Sequence, residues 1–429
     1  MNSFSNWMER TFVPIAAKIG SQRHLVAIRD AFISIMPITM AGSIAVLLNV
    51  FFRDLPTTWG MTGFVTAMGP IIGVNGNVWW GSIAILSLVF VFALGYNLAR
   101  GYDVNPLAGG LVAFASLMVT IPSATEAIGG WGYFQWGYTN AGGLFTALFV
   151  GLVATIIFAK LIQANIIIKL PDNVPPAVGK AFAAIVPGTV TIYIFAILTY
   201  LCTTYLGMPI NDLISKYVQT PFLALSQGYP LVLIATIFVS LFWFFGLHGT
   251  NVLAPVLDGI YLPALQANTT AYELSKSTAN LPYLWTRGSF DAYAWMGGAG
   301  CTIALIIALF IMSKREEQRA VAKLSVAMGV FNINEPVMFG LPIVLNPVYF
   351  IPFLIVPPIL VTIGYIATAV GLIPPVFLTI PWIMPPVIYA YLATGGNVMA
   401  AIVSLFNLVL ATLIWMAFVQ VANKVEEKA

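Results

Sequence analysis

The sequence has very few charged residues for a chain of its length. Only 8% of its 429 residues are Asp, Glu, Lys or Arg, whereas 60% are hydrophobic and the mean hydropathy is +0.93. A water-soluble chain of ordinary composition carries about 25% charged residues, so this one is not expected to be soluble. The shortage of Lys and Arg also excludes a nucleic-acid binder, which needs a strongly basic surface. The composition predicts a polytopic helical membrane protein in contact with lipid.

Cysteine and histidine are also scarce, with two of each in the chain. Cys202 and Cys301 lie in apolar runs, where cysteine is usually a packed core residue. We therefore expect no metal site and no cofactor. The sequence contains neither a Walker A motif nor a GxSxG motif, so it is not expected to hydrolyse ATP. If phosphate chemistry occurs, the phosphoryl donor must come from another molecule.

Long apolar runs predict the membrane crossings. They are Ile28–Phe51, Trp79–Leu98, Pro106–Ile121, Gly142–Leu161, Ala181–Leu206, Tyr229–Leu247, Gly249–Leu265, Ala292–Met312, Val348–Ile373 and Val398–Val421. Two further pieces, around Glu335 and over Pro374–Thr394, are broken by proline and are expected to be re-entrant. Met1–Ala27 is predicted to be an interfacial amphipathic helix. The expected fold is all-α, with about ten transmembrane helices, re-entrant hairpins and interfacial helices.

The positive charges predict the orientation of the chain. Lys and Arg concentrate in the N-terminal arm, at Arg100, in the Lys160–Lys180 loop, in the Lys314–Lys323 loop and in the tail. Loops rich in these residues stay on the cytoplasmic side of a membrane. We therefore expect both termini to be cytoplasmic.

Glu335 is the first chemical candidate in the second half of the chain. Glu335 lies between Asn334 and Pro336 in a mostly apolar stretch that also contains Asn332 and Asn346. An ionisable residue at membrane depth is costly and is therefore a functional candidate. The asparagines around it are suited to hydrogen bonding with a polyhydroxylated ligand.

His248 is the second chemical candidate. It ends the aromatic run FWFFGLHG, at a break between two apolar segments, and Asn251 follows it closely. A neutral imidazole can donate to or accept from a substrate hydroxyl, and its unperturbed pKa is near 6.5. Trp243 and Trp382 are candidates for stacking on the flat face of a sugar, although packing explains an aromatic side chain equally well. Asp258 and Asp291 flank a polar insert and are expected to be solvated loop residues.

Several segments together resemble a known family. They are Pro14–Ser43, Pro171–Gly188, Phe242–Val252 (FWFFGLHGTNV) and Asn332–Pro347 (NINEPVMFGLPIVLNP). With the matching pattern of spans, they cover nearly the full length. The chain resembles the enzyme IIC membrane component of bacterial phosphoenolpyruvate-dependent sugar phosphotransferase systems, in the branch that handles lactose, cellobiose and N,N'-diacetylchitobiose.

The resemblance implies a division of labour between two halves. Residues 1–225 would form a scaffold of about five transmembrane helices that makes a homodimer, and residues 226–429 would hold the sugar and move it across the bacterial cell membrane. The sugar would be phosphorylated on its C6 hydroxyl by a phosphocysteine of a IIB protein, itself charged by IIA. Because the sequence ends soon after the last span, IIA and IIB are expected as separate partners.

The same resemblance implies roles for individual residues. Glu335 and His248 match the residues placed at the reacting hydroxyl, Glu335 as the base and His248 as its hydrogen-bonding partner. Asn334 would orient the sugar, and Asn332, Asn251, Trp382 and Trp243 would contribute to the sugar site. The alternative from another class is a proton-coupled sugar transporter with Glu335 as the proton carrier. A membrane receptor without transport is a third possibility, but it leaves the broken segments unexplained.

Overall fold

Helices make up most of the described chain in a computed structural model that describes residues 21–122, 124–125, 130–131, 135–171, 174–341, 343 and 347–426. The first half contains helices α1 Arg23–Ser34, α2 Met36–Asn49, α3 Leu55–Thr58, α4 Thr62–Ala67, α5 Gly69–Trp80, α6 Leu86–Gly101, α7 Pro106–Thr120, α8 Leu144–Gln163, α9 Pro176–Leu206, α10 Ile210–Ile214 and α11 Thr220–Ser226. Two strands of two residues each, β1 Ala124–Thr125 and β2 Gly130–Trp131, pair antiparallel between α7 and α8.

The second half contains helices of very different lengths separated by irregular chain. They are α12 Tyr229–Phe244, α13 Gly249–Val252, α14 Ala254–Ser275, α15 Arg287–Tyr293, α16 Thr302–Met312, α17 Glu316–Val330, α18 Glu335–Gly340, α19 Pro347–Ala369, α20 Ile388–Ala393 and α21 Val398–Glu426. Most of residues 370–387 lie outside helices, in agreement with the run of prolines there. Asn346 and most of the predicted N-terminal helix lie outside the described residues.

Six described helical segments are long and apolar enough to cross a membrane. They are Met36–Thr58, Gly69–Gly101, Ala141–Gln163, Pro176–Leu206, Val348–Ala369 and Val398–Asn423. A seventh is formed if Ile210–Ser226 and Tyr229–Phe244, which meet at 79°, count together as one broken span. The prediction of a polytopic helical membrane protein is confirmed, while the count of ten crossings stays a prediction.

Several of the expected spans have different boundaries in the structure. The first, Ile28–Phe51, is divided at Ile35 between α1 and α2, and the candidate span there is Met36–Thr58. Ala292–Met312 is helical only from Thr302, because the chain before it follows a glycine-rich path with positive φ at Gly297, Gly298 and Gly300. The span expected at Trp79–Leu98 is interrupted after Trp80, where the chain makes a turn before α6 begins. Helix α14 runs on to Ser275, ten residues beyond the expected apolar piece. Hydropathy alone does not mark these backbone changes.

The buried apolar side chains form two main clusters. One joins side chains of α1, α6, α7 and α8, with Phe90, Leu94 and Leu98 fully buried. The other is built mostly from residues after Val232, with an aromatic centre of Trp285, Phe290, Tyr293 and Trp295. The division into a scaffold half and a sugar-binding half stays a prediction.

Helix α21 supports the irregular chain that precedes α16. Ser404 donates a hydrogen bond to the carbonyl of Ala292 at 2.8 Å, and Asn407 donates to the carbonyl of Tyr293 at 2.9 Å. The Trp415 indole donates to the carbonyl of Gly300 at 3.0 Å. Non-helical backbone is tolerated at membrane depth only when its polar groups are satisfied in this way. These bonds therefore fix both ends of the glycine-rich segment 294–301, at the last residues of α15 and at Gly300.

Candidate functional site

A cavity of about 660 Å³ lies where the two clusters meet. Its size is within the range of small-molecule sites in proteins. Helix α1, helix α2 and the start of α6 contribute mainly apolar side chains, and the second half contributes nearly all of the polar ones. The polar and aromatic lining includes Ser43, Trp243, His248, Asn251, Asp258, Gln266, Arg287, Asp291, Trp295, Asn332, Asn334, Glu335, Trp382 and Tyr389. The wall of the cavity thus combines hydrogen-bonding groups with indole rings.

Glu335 is the first residue of the short helix α18. Pro336 occupies the first turn of that helix, a position where proline needs no hydrogen-bond partner. An acidic side chain is favoured there by the positive end of the helix dipole. The Glu335 side chain remains 45% exposed and lines the cavity. Its carboxylate is therefore open to a ligand.

His248 faces the same carboxylate from the other side. It caps the N-terminus of α13, because its Nδ1 accepts a hydrogen bond from the backbone N–H of Asn251 at 3.3 Å. An Nδ1 that accepts carries no proton, so the proton of the neutral ring lies on Nε2. That Nε2 is 3.8 Å from Oε1 of Glu335, too far for a direct hydrogen bond. The Trp243 ring packs on the imidazole, with ring centroids 4.4 Å apart.

Asn332 joins three segments of the cavity wall. It has a positive φ of 62°, and its side-chain oxygen accepts a hydrogen bond from the Gly297 N–H at 2.7 Å. Its side-chain nitrogen donates to the carbonyls of Trp382 and Met384 at 2.6 and 2.8 Å. The amide is thus engaged by backbone on both ends, which favours a positioning role over sugar contact.

Asn334 lies against the glycine-rich segment. A Cβ placed on Gly298, whose φ is +98°, would come within 2.7 Å of the Asn334 side chain, so only glycine fits there. Asn334 is 4% exposed, and its Nδ2 has no hydrogen-bond partner among the described residues. Buried amide groups are normally paired. Asn334 thus brings an unpaired amide N–H to the wall of the cavity.

The structure brings together all seven residues that were predicted as site residues. Glu335, His248, Asn334, Asn332, Trp382, Trp243 and Asn251 all line the one cavity. They come from four separate parts of the second half, at its start, around α13, before α18 and before α20. Their placement agrees with the predicted site, and their roles in catalysis and sugar binding stay predictions.

A charged cluster on the same wall was not predicted from the sequence. Asp258 and Asp291 are not solvated loop residues, because Asp258 lies in α14, Asp291 lies in α15, and both form ion pairs with Arg287. The Arg287 side chain is only 18% exposed. The available signal was the i, i+4 spacing of Arg287 and Asp291, together with an isolated Asp258 in an apolar run.

Comparison with known proteins now identifies the family. The family model described as "Phosphotransferase system, EIIC" matches residues 29–357. The chain is 42% identical to the cellobiose-specific EIIC component of the phosphotransferase system of Lactococcus lactis subsp. lactis, over 100% of this chain and 99% of that protein. It is 32% identical to the lichenan permease IIC component of Bacillus subtilis, over 99% of this chain and 94% of that protein.

A solved structure gives the same answer for the fold. The crystal structure of the transporter ChbC, the IIC component of the N,N'-diacetylchitobiose-specific phosphotransferase system, superposes with a TM-score of 0.88. The two sequences are 30% identical, and the match covers 99% of each chain. The resemblance seen in the sequence motifs is therefore confirmed, and the chain belongs to the phosphotransferase system EIIC family.

Proposed function

We propose that this chain is the sugar permease of a bacterial phosphotransferase system and imports a β-linked disaccharide of the cellobiose or diacetylchitobiose type. The observation that carries the proposal is the meeting of Glu335 and His248 at an open gap in a polar, tryptophan-bearing cavity. The names of the relatives, which include a cellobiose-specific and a diacetylchitobiose-specific component, support this class of sugar. Import is coupled to phosphorylation of the sugar on its C6 hydroxyl.

The 3.8 Å gap between His248 and Glu335 suits one hydroxyl group. A hydroxyl oxygen beside the gap accepts a hydrogen bond from Nε2–H of His248 and donates its own proton to the Glu335 carboxylate. Phosphoryl transfer depends mainly on positioning and charge, and a general base contributes about 10²–10⁴-fold. The hydroxyl oxygen bonds to phosphorus as the phosphorus–sulfur bond of the donor breaks. Glu335 takes the proton, and the donor cysteine leaves as a thiolate.

The other lining residues are assigned to holding the sugar and the reacting pair. Asn334 orients the sugar from the cavity wall, and Trp382 supplies an indole face for stacking. Asn251 lines the cavity one turn from His248. We assign Trp243 and Asn332 to positioning, because one packs on His248 and the other binds three backbone groups.

The proposal extends to the assembly around the permease. Residues 1–225 form the scaffold of a homodimer with about five transmembrane helices, and residues 226–429 carry the sugar across the bacterial cell membrane. About ten helices cross the bilayer, with re-entrant pieces beside the cavity and both termini in the cytoplasm. The phosphoryl donor is a phosphocysteine of a IIB protein, which a IIA protein recharges.

Membrane vesicles containing this chain test the proposal. Phosphorylated IIB is placed on the cytoplasmic side, and radiolabelled cellobiose or N,N'-diacetylchitobiose is supplied outside. Wild type should form sugar phosphate inside only when the phosphorylated IIB is present, and Glu335→Gln should not. Free disaccharide that accumulates with a proton gradient and without IIB would instead establish the proton-coupled transporter. Vesicles that bind sugar without moving it would favour the receptor.

A further inference from the structure

The cavity wall carries a second polar cluster that the phosphoryl transfer does not use. Nε of Arg287 donates to Oδ1 of Asp258 at 2.8 Å, and its Nη1 donates to Oδ2 of Asp291 at 2.7 Å. All three residues line the cavity, and their side chains are 14–24% exposed. Burying charged groups is costly, so a cluster of three in a membrane protein needs a reason beyond stability.

The local structure fixes the geometry of this cluster, which we name the carboxylate clamp (Asp258, Arg287 and Asp291). Helix α15 begins with a capping box formed by Thr286 and Ser289. The guanidinium of Arg287 lies 5.5 Å from the centre of the Trp295 ring. Trp295 in turn stacks on Phe290, with centroids 4.7 Å apart. The clamp is therefore held between two helices and an aromatic floor, and it is preorganised before any ligand arrives.

Each carboxylate of the clamp has an oxygen to spare. Asp258 and Asp291 each give one oxygen to Arg287, and in the described part of the chain the second oxygens accept no hydrogen bond from protein. Carboxylates are pure acceptors, and partly buried acceptors need donors. Arg287 keeps unused N–H donors at its remaining terminal positions. The cluster thus presents two acceptors around a donor. This arrangement is complementary to neighbouring hydroxyls on a sugar ring, which both donate and accept hydrogen bonds.

We propose that the carboxylate clamp binds neighbouring hydroxyls of the second sugar ring, the one that does not receive the phosphoryl group. This inference rests on the proposed function, because it takes the His248–Glu335 gap as the place of the reacting hydroxyl. The clamp then selects a two-ring sugar over a single ring. A monosaccharide at the gap leaves the clamp without its partners, and a buried site built for hydroxyl groups rejects ligands that lack them.

Equilibrium binding to the purified full chain in detergent tests the clamp. Calorimetric titration uses cellobiose and N,N'-diacetylchitobiose, each compared with its own monosaccharide. For Asp258→Asn and Asp291→Asn, we expect disaccharide affinity to fall about ten- to a hundredfold, the effect of a hydrogen bond to a charged group, with monosaccharide affinity nearly unchanged. The matched control is Asp54→Asn, whose carboxylate pairs with Arg53 away from the cavity lining. Equal losses for disaccharide and monosaccharide would mean a structural role only and overturn the proposal.

Binding of deoxygenated cellobioses to wild type is a second test, and it does not depend on whether a variant folds. On wild type, removal of one hydroxyl from the clamped ring should weaken binding about tenfold or more, and on Asp291→Asn the same removal should matter much less. If wild type binds every analogue that is altered outside the phosphorylated ring as well as cellobiose, the clamp does not bind the sugar. Binding needs no phosphoryl donor, so this result is independent of whether IIB-dependent phosphorylation occurs.

Discussion

The two polar clusters of the cavity use similar residue types in opposite ways. In the carboxylate clamp, oppositely charged groups touch at 2.7–2.8 Å and are largely withdrawn from solvent. At the His248–Glu335 pair, the groups stay 3.8 Å apart and each side chain keeps about 40% of its exposure or more. A group that must exchange a proton has to remain open, whereas a group that only binds gains from being fixed in advance. We therefore expect mutations at the His248–Glu335 pair to lower the rate of phosphoryl transfer. Mutations in the carboxylate clamp should instead lower stability or selectivity.

Glu335→Gln tests the His248–Glu335 side of this comparison, and we expect it to have the largest effect of the variants. The amide keeps the shape of the side chain and cannot take the hydroxyl proton, so the rate of sugar phosphate formation should fall about 10²–10⁴-fold. Disaccharide binding should persist, because the rest of the cavity is unchanged. Single-turnover phosphoryl transfer from IIB and calorimetric binding measure the two quantities separately. A variant that transfers at the wild-type rate would remove Glu335 from the chemical step.

Arg287→Ala tests the other side of the comparison. It leaves two buried carboxylates without their cation, and breaking a buried ion pair costs about 3–5 kcal/mol of unfolding free energy. Thermal unfolding in detergent should show a large drop in Tm. Glu335→Ala is the control and should affect Tm little, since the Glu335 carboxylate is 45% exposed and lies 3.8 Å from His248. Equal drops in the two variants would break the distinction between the clusters.

Asn332→Ala should have an intermediate effect. It removes the bonds from the side chain to Gly297, Trp382 and Met384, and because these bonds are only partly buried, the free energy of unfolding should fall by about 1–3 kcal/mol in all. We expect a lower Tm and a raised KM for disaccharide, because the wall segments are no longer held in fixed positions relative to one another. Asn332→Asp serves as the comparison variant, because it keeps the acceptor for Gly297 and loses the donor. A raised KM with unchanged Tm would point to direct sugar contact instead.

Trp243→Phe is expected to have the smallest effect. The phenyl ring keeps an aromatic face against His248 but is smaller than indole, so stability should fall by less than about 1.5 kcal/mol. The rate of phosphoryl transfer should fall only a few-fold through looser placement of the imidazole. Steady-state kinetics with IIB checks this expectation. A large rise in KM for disaccharide would show that Trp243 stacks on the sugar itself.

Glu335 and His248 could be singled out from the sequence, whereas the clamp could not, and the reason is physical. Glu335 and His248 stand out because each interrupts an apolar run, and the motifs around them are specific. Asp258 and Arg287 are 29 residues apart, and only the packing of α14 on α15 brings them together. When each residue is considered alone, the sequence also gives no sign that these charges are paired.

Helix boundaries in the second half could be predicted only in part. Prolines indicate that the helices break, but a proline does not say where the chain goes next. The path of segment 294–301 depends on the positive φ values of three glycines and on bonds from Ser404, Asn407 and Trp415, more than 100 residues later. The long, uniformly apolar helices α9 and α21, in contrast, lie close to their expected positions.

The charge balance of the cavity lining has a consequence for the end of the transport cycle. Among the described lining residues, Asp258, Asp291 and Glu335 bring three acids, and Arg287 is the one permanent cation. The surplus of negative charge is harmless to a neutral sugar. It repels the same sugar once a phosphoryl group is attached, because like charges in a poorly screened space interact strongly. We therefore expect the cavity to bind the sugar phosphate less tightly than the free sugar, because Asp258 and Asp291 together outweigh the charge of Arg287 even after Glu335 has taken the proton.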